Sequence, residues 1–237
     1  MSGNETRSFF QSDLYVRHNA RRLEHLAALH LDLAGKTVLE LGAGIGDHSI
    51  FYLDRGCAVT AIEPRAGNIE VLHNRMREFP DAWNPSRLRV IQADVERLDN
   101  IDALGTFDVV HCYGLLYHLN DPVHVLRMAA ARCRGIFLLE TKVRLDHHPS
   151  SITEDRENPT NSVQGPVTLL TREELLARLA EQFVHVYVPT LPVWHEQFPT
   201  AWDSVPADRW PIRAVVVCAR EPLTSSSLQE VFVQKIS

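Results

Sequence analysis

The sequence predicts an α/β fold in a single domain over residues 1–237: a seven-stranded, mostly parallel sheet with the last strand antiparallel, helices on both faces and a short N-terminal helical cap. Two observations predict this fold. Short apolar runs alternate with segments of helical periodicity along most of the chain, which favours parallel strands joined by right-handed crossovers. The last two apolar runs are joined by a loop instead of a helix, which favours an antiparallel pair at that edge.

The composition is typical of a globular protein without a nucleic-acid surface. Hydrophobic residues make up 45% and charged residues 23% of the chain, which argues against disorder. The net charge of −6 argues against a large phosphate-binding surface, so a nucleic-acid partner is not expected. The cysteines are widely spaced, no secretory leader is recognised, and no apolar run reaches the roughly 20 residues of a membrane helix. These features predict a cytoplasmic protein without membrane contact.

The segment 1–34 is predicted to form the helical cap. Apolar residues recur at helical spacing between Phe9 and His30. Helices that precede the first strand stand outside the strand–helix succession, so they must cover a sheet edge or a ligand cleft. Tyr15 and Arg17 belong to a polar cluster on these helices, which is either a solvated surface or part of such a cleft.

The first strand, turn and helix are the element around which the fold is organised. An apolar run over 37–41 passes straight into a turn at 42–46 that has glycine at alternate positions, and then into a helix. Glycine lets the backbone turn sharply and approach a ligand closely. The next run, 58–62, ends on Glu63, whose carboxylate can accept hydrogen bonds from ribose hydroxyls. This arrangement predicts a nucleoside-binding βαβ unit.

The spacing of Gly42, Gly44 and Gly46 distinguishes this turn from a dinucleotide site. Dinucleotide-binding turns have their third glycine three residues after the second. Asp47 follows the turn directly, and a carboxylate there would repel a pyrophosphate but suits the ammonium of an amino acid. The turn therefore indicates a ligand in which a nucleoside is joined to an amino acid.

Five further strands complete the predicted sheet. They are expected over 88–92, 107–112, 135–140, 183–188 and 213–219, with helices over about 69–79, 122–131 and 171–180. The polar, aperiodic segment 141–168 and the Trp- and Pro-rich segment 190–211 are predicted to be lids or substrate loops. The tail beyond Pro222 is predicted to be peripheral.

In order and spacing, these motifs resemble those of the class I S-adenosylmethionine-dependent methyltransferases, which have a Rossmann-like sheet. The resemblance covers Lys36 to Ala219. The family's first motif is similar to Val38–Gly46, its ribose-binding acid to Glu63, its adenine-binding loop to Gln92–Val95, and its segment beside the methyl-sulfonium centre to Phe107–Val110 with Leu115–Leu119. The resemblance implies S-adenosylmethionine as the cofactor and S-adenosylhomocysteine as the product.

The resemblance also implies roles for individual residues. Asp94 would accept a hydrogen bond from the adenine amino group, and the Val95 amide would meet the ring. Glu40 would anchor the glycine turn or the methionine amine, unless it only caps its strand. Tyr15 or Arg17 would pair with the cofactor's carboxylate. The residues predicted to bind the cofactor are Glu40, Gly42, Ala43, Gly44, Glu63, Asp94, Val95, Cys112, Arg17 and Tyr15, with Cys112 contributing its backbone.

Two histidines near the end of the fourth strand are candidates for catalysis. His118 and His111 could take a proton from the acceptor, or could be packed and hydrogen-bonded residues of the core. Asp146, His147 and His148 form a potential metal cluster. Adjacent histidines of an extended chain cannot easily face one ion, so no metal site is predicted.

The predicted function is methyl transfer to an oxygen or nitrogen nucleophile of a small-molecule acceptor, with a homodimer left open. Residues Tyr113–Pro122 also resemble the tRNA wobble-uridine carboxymethyl-transferring enzymes, so a tRNA-modifying (carboxy)methyltransferase is the alternative. The acidic charge balance favours the small molecule. An S-adenosylmethionine-binding protein without catalysis is the second alternative.

Overall fold

The computed structural model describes residues 3–78, 84–98, 101–145, 148–202, 205–206 and 211–231. The strands in chain order are β1 (Thr37–Leu41), β2 (Ala58–Glu63), β3 (Leu88–Gln92), β4 (Phe107–Tyr113), β5 (Cys133–Val143), β6 (Ser151–Thr153), β7 (Pro166–Thr168), β8 (His185–Pro189), β9 (Ile212–Ala219) and β10 (Leu228–Glu230). Eight of the described strands form one sheet in the order β3-β2-β1-β4-β5-β9-β8-β10, and β6 pairs with β7.

The predicted α/β fold is confirmed, with one more strand in the sheet than expected. Strands β1 to β5 are parallel to one another, and β9 lies antiparallel between β5 and β8. The additional strand β10 pairs antiparallel with β8 at the edge. It comes from the tail predicted to be peripheral, where three residues are too few to give a periodic signal.

Helices cover both faces of the sheet, as predicted. Among the described residues the α-helices are α1 (Gly3–Phe10), α2 (Asp13–Ala28), α3 (Asp47–Leu53), α4 (Ala66–Glu78), α5 (Pro122–Arg132) and α6 (Arg172–Gln182). Helices α2, α3 and α4 bury Leu26, Tyr52 and Leu72 in one apolar cluster. Helices α5 and α6 bury residues such as Leu126 and Leu175 in another.

The helical cap starts earlier than the spacing predicted. Helix α1 begins at Gly3, whereas apolar periodicity begins only at Phe9. Ser12 caps the N-terminus of α2, because its hydroxyl accepts from the Tyr15 amide (3.4 Å). The end predicted for α4 at residue 79 lies outside the described residues.

The predicted loop 141–168 is more structured than expected. Its first residues continue β5, and β6 and β7 form a hairpin further on. The segment between those two strands, residues 154–165, is called the strap below. The Arg65 guanidinium, just beyond β2, donates to the carbonyls of Arg156 (2.9 Å) and Asn161 (3.1 Å). These bonds hold the strap across the carboxyl end of the sheet.

Replacing Gly46 by alanine is expected to destabilise the fold by about 2 kcal/mol. Gly46 has a φ of +84°, and a Cβ there would lie 2.8 Å from Leu72 Cγ in the core. Gly105→Ala is the matched control, because Gly105 has a φ of +74° but nothing within 4 Å of such a Cβ. Urea unfolding should therefore show a smaller loss, about 1 kcal/mol, for the control. Equal losses would mean that the contact with Leu72 costs nothing.

Candidate functional site

A cavity lies at the carboxyl ends of β1, β2 and β4, between α2 and the strap. This edge is where open parallel sheets bind their ligands. The space, with its open mouth included, is about 930 Å³. Of the residues predicted from the sequence, Tyr15, Gly42, Ala43, Gly44, Glu63, Asp94, Val95 and His118 line it, whereas Glu40, Cys112, His111 and Arg17 do not.

The glycine turn brings backbone close to the cavity. Gly42 has a φ of +73°, and a Cβ on it would lie 3.1 Å from Leu115 Cδ1, in the segment after β4. The Gly44 amide donates to Glu63 Oε2 (2.9 Å). The turn and the end of β2 are therefore fastened to each other at the cavity wall.

The Glu63 carboxylate is buried and already accepts several hydrogen bonds. Besides the Gly44 amide it accepts from the Arg65 amide (3.0 Å) and from Asn68 Nδ2 (3.0 Å). Burial raises the pKa of Glu63, and these hydrogen bonds oppose that shift. A carboxylate has about four acceptor positions, so one is left for a ligand hydroxyl. Asn68 supplies another acceptor, since its Oδ1 is buried without a partner among the described residues.

Asp94 follows β3 and is hydrogen-bonded through both carboxylate oxygens. Its Oδ1 accepts from the Glu96 amide (3.0 Å), where a short 3-10 turn begins. Its Oδ2 accepts from the side-chain amide of Gln164 in the strap (2.9 Å). A ligand amino group that binds Asp94 must therefore share or replace the bond from Gln164.

Helix α2 presents Tyr15 and Arg22 to the cavity and Arg17 to solvent. Residues seven apart lie on one face of an α-helix, whereas residues two apart are separated by about 200°. Arg17 pairs instead with Glu196 (2.8 Å), and both side chains are more than half exposed. The structure thus does not bring Arg17 to the cavity. Arg22 is not among the predicted residues, and its spacing of seven residues from Tyr15 on α2 is the signal that indicates it.

Arg22 belongs to a buried ion-pair network centred on Glu140 of β5. Arg22 donates to Glu140 Oε2, and Arg213 of β9 donates to Oε1 (2.7 Å). Arg213 also donates to the Tyr117 hydroxyl (3.0 Å). Burial alone would raise the pKa of Glu140, but the charges of Arg213 and Arg22 lower it to about 2. Glu140 is therefore ionised at neutral pH, and with its two arginines the network carries one net positive charge.

Three side chains at this end of the cavity carry polar atoms without hydrogen-bond partners among the described residues. They are Arg22 Nε, His48 Nε2 and Tyr113 Oη, all buried on residues that line the cavity. Such unpaired groups are costly in a protein interior. This end of the cavity is therefore suited to a polar ligand group. Asp47 also lines it, but its carboxylate pairs with Arg75 (2.7 Å).

The structure separates the two histidines predicted to be catalytic. His118 lines the cavity, and its Nδ1 lies 2.5 Å from Glu154 Oε2 in the strap. His111 lies inside β4, because that strand continues to Tyr113, and the residue is 1% exposed. Its Nδ1 bonds the Tyr52 hydroxyl (2.9 Å). Burial lowers the pKa of His111 to about 3, so it stays neutral in the core.

Glu40 and Cys112 lie behind the cavity wall. Glu40 is 1% exposed and pairs with Ser49 Oγ of α3 (2.5 Å), which joins the strand to that helix. Burial raises the pKa of Glu40 to about 8. The Cys112 side chain packs in the apolar cluster of α5 and α6. Residues alternate between the faces of a strand, so Tyr113 rather than Cys112 reaches the cavity.

The potential metal cluster at residues 146–148 lies only partly within the described residues. Asp146 and His147 lie outside the described residues. Within the described ranges, no group of three or more His, Cys, Asp or Glu side chains is arranged to hold a metal ion.

A second, more open cavity lies at the end of β8 and the start of β9. Residues 188–193, 198–200 and Trp202 line it, and these include part of the predicted loop 190–211. The Arg172 guanidinium stacks over the Trp202 ring at 4.7 Å from its centroid. Arg213 lines this cavity while it bonds Glu140, so the buried network connects the two cavities.

Comparison with known proteins gives a consistent assignment. The family model described as "Methyltransferase domain" matches residues 12–191. The chain is 32% identical over 143 residues to a ribosomal RNA small subunit methyltransferase A of Anaeromyxobacter sp. (strain K), covering 54% of this chain and 48% of that protein. It is 38% identical over 105 residues to a ubiquinone biosynthesis O-methyltransferase of Azotobacter vinelandii (41% and 39%). It is 29% identical over 182 residues to a tRNA U34 carboxymethyltransferase of Stutzerimonas stutzeri (74% and 54%).

Among solved structures, the N-terminal domain of EvdMO1 with SAH bound is similar at a TM-score of 0.62 and 26% sequence identity. The match covers 85% of this chain and 80% of that one. The chain spans about half the length of the first curated relatives it matches. None of the helices in the described ranges has the length and apolar character needed to cross a membrane.

Proposed function

The chain belongs to the class I S-adenosylmethionine-dependent methyltransferase family, and we propose that it transfers a methyl group from S-adenosylmethionine to an oxygen or nitrogen of a small-molecule acceptor in the cytoplasm. The cavity carries this proposal. The glycine turn, Glu63 and Asp94 meet there at successive strand ends, beneath the strap. That order of groups suits a ligand with an amino acid at one end and a nucleoside at the other.

The residues at the β2 and β3 side of the cavity fit a nucleoside. The free acceptor position of Glu63 and the unpaired Oδ1 of Asn68 would each receive one ribose hydroxyl. Asp94 would accept from the adenine amino group where it now accepts from Gln164. The Val95 backbone lies beside it on the wall.

The opposite end fits the amino-acid part of the cofactor. Arg22 Nε and Tyr113 Oη are donors without partners among the described residues, and a carboxylate would satisfy both. Arg22 thus takes the role predicted for Arg17. Tyr15 lines the same end and would cover the cofactor from α2.

S-adenosylmethionine supplies an activated methyl group when bound, so the protein has mainly to position the acceptor and exclude water. The strap contributes Pro159 to Val163 to the cavity wall and thereby limits access of solvent. His118 is the side chain suited to removing a proton from the acceptor. His111 is not, because its ring is bonded to Tyr52 in the core.

Charge and enclosure support a small acceptor. The net charge of −6 disfavours binding to a polyanion, and the strap narrows the cavity from above. The ubiquinone biosynthesis O-methyltransferase among the relatives supports this class of acceptor. The tRNA U34 carboxymethyltransferase, which aligns with 74% of the chain, supports a tRNA-modifying enzyme as the alternative. An S-adenosylmethionine-binding protein without catalysis is the remaining alternative.

Isothermal titration with S-adenosylhomocysteine tests the premise shared by both enzyme functions. Folded protein that does not bind it would refute both. Transfer of a labelled methyl group to a fractionated metabolite extract, and not to total tRNA, is the result expected for the small-molecule proposal. Filter binding of tRNA at low and moderate salt provides the second comparison, because phosphate contacts make affinity strongly salt-dependent. Labelled tRNA would establish the alternative.

Arg22→Lys is expected to weaken S-adenosylhomocysteine binding about tenfold, measured by the same titration. Lysine keeps the charge beside Glu140 but has no counterpart of the unpaired Nε–H. Arg17→Lys is the matched control on the same helix, and its affinity should equal that of the unchanged protein because Arg17 lies on the exposed surface. The assignment of Arg22 fails if the two variants bind equally well.

A further inference from the structure

The strap brings a glutamate to the histidine that lines the cavity. Glu154 Oε2 lies 2.5 Å from His118 Nδ1, and the two side chains are 10% and 11% exposed. His118 is held by the 3-10 turn Leu116–His118, which follows β4. Glu154 comes from a segment 36 residues further along the chain. The order of strands in the sheet does not by itself predict that Glu154 and His118 are in contact.

The neighbours of Glu154 determine which atom carries the proton. The same Oε2 accepts from the Ser162 amide (2.8 Å), and this donor stabilises the ionised form of the carboxyl group. Burial alone would raise the pKa of Glu154, but the bonds from His118 and Ser162 lower it overall, so the group is a carboxylate at neutral pH. The hydrogen between the two side chains therefore belongs to His118 Nδ1.

The His118 ring is neutral under the same conditions. Burial lowers its pKa, and the nearby charges of Lys142 and Arg213 act in the same direction, while Glu154 opposes them. Tyr117 packs against the ring with centroids 4.0 Å apart. A neutral imidazole with hydrogen on Nδ1 has its lone pair on Nε2. Among the described residues, the hydrogen-bond partner of the ring is Glu154.

We propose that Glu154 is a positioning residue that holds His118 with its hydrogen on Nδ1, so that Nε2 removes the proton from a hydroxyl acceptor. This inference rests on the proposed function. The hydroxyl proton moves to Nε2, the oxygen forms its bond to the methyl carbon, and the electron pair of the broken carbon–sulfur bond stays on sulfur. The imidazolium formed next to the Glu154 carboxylate later releases its proton to water.

The arrangement narrows the acceptor class to phenols and alcohols. A hydroxyl keeps its proton at neutral pH and needs a base during transfer, whereas an uncharged amine already has a free lone pair. Glu154 also belongs to the strap, where its own amide donates to the Gly165 carbonyl (2.8 Å). The base is therefore complete only while the strap lies over the cavity.

The test is the protonation pattern of His118 in the full chain with labelled histidine, followed by long-range proton–nitrogen NMR. In the unchanged protein we expect Nδ1 protonated and Nε2 unprotonated. In Glu154→Gln we expect a mixture of both neutral forms and a lower His118 pKa, because the amide can donate or accept and carries no charge. Glu157→Gln, an exposed position in the same segment, should change neither property.

The outcomes separate this inference from the proposed function. Hydrogen on Nε2 in the unchanged protein, or an unaltered pattern in Glu154→Gln, would overturn it while S-adenosylhomocysteine binding remains intact. Weaker cofactor binding without any change at His118 would also overturn it, since Glu154 would then only fasten the strap.

Methyl transfer to catechol should exceed transfer to benzylamine and should fall at least tenfold in Glu154→Gln. Preference for benzylamine would refute the hydroxyl class. Absence of S-adenosylhomocysteine binding would instead refute the proposed function.

Discussion

Glu140→Gln is expected to lower the free energy of unfolding by about 3–5 kcal/mol at neutral pH. Glutamine has nearly the same shape but no charge, so Arg22 and Arg213 would remain buried without their shared counterion. Both guanidinium groups are less than one tenth exposed, which leaves little solvent to compensate. Urea unfolding followed by circular dichroism measures the loss.

The same variant gives a pH dependence whose sign is fixed by the lowered pKa of Glu140. The carboxyl has a pKa of about 2 in the folded protein against an ordinary value of 4.5. Its contribution is therefore fully present above about pH 4.5 and is lost as the pH falls through about 2. The difference between the unchanged protein and Glu140→Gln should shrink over this interval. Glu70→Gln, at an exposed position of α4, should show no comparable loss at any pH. A loss below 1 kcal/mol for Glu140→Gln at pH 7 would contradict the buried network.

Glu63→Ala is expected to weaken S-adenosylhomocysteine binding by about 1–3 kcal/mol, which is roughly 5- to 150-fold. The variant removes the acceptor for a ribose hydroxyl. It also removes the oxygen that fastens Gly44 and Asn68 beside the cavity. Isothermal titration gives the affinity, and the melting temperature of each variant shows whether the fold is retained.

Two companion variants identify the source of the Glu63 effect. Asn68→Ala leaves the bond to the Gly44 amide in place and removes the unpaired Oδ1, so its loss of affinity should be smaller than that of Glu63→Ala. Glu70→Ala, exposed on the same helix as Asn68, should bind normally. Unchanged affinity in folded Glu63→Ala would remove the ribose assignment.

The sheet and its cavity-lining turn could be predicted because their signals are local. Strand runs and glycine spacing are visible within a few residues, and the carboxyl ends of parallel strands meet at one edge. That geometry alone brings Glu63 and Asp94 to the cavity. The antiparallel position of β9 agrees with the expected fold, whereas the three-residue strands β6, β7 and β10 are too short to be recognised.

The residues facing the cavity could not be predicted where a shift of one or two positions along a helix or strand changes the direction of a side chain. Arg17 belongs to the polar cluster predicted to reach the cofactor, but its position on α2 is about 200° away from Tyr15. His111 is predicted near a strand end, but β4 extends one residue further than predicted and the His111 ring is bonded to Tyr52 in the core. In both cases the residue type suits the predicted role, but the sequence pattern does not determine which way the side chain points.

The partners supplied by the strap had no signal in the sequence. Glu154 and Gln164 lie in a polar segment without periodicity, and each meets a residue that is distant in the chain. Tertiary packing alone brings Glu154 to His118 and Gln164 to Asp94. An aperiodic polar segment of this length indicated a lid, but not which of its side chains enter the site.

The buried network also has a consequence for the cooperativity of the domain. Glu140 joins Arg22, 118 residues away, to Arg213, 73 residues away, so both ends of the domain meet on one carboxylate. Opening of α2 or of β9 alone would leave one oxygen of the buried Glu140 carboxylate without its arginine donor. The helical cap and the last long strand therefore belong to one cooperative unit, and hydrogen exchange in both should report the same opening event.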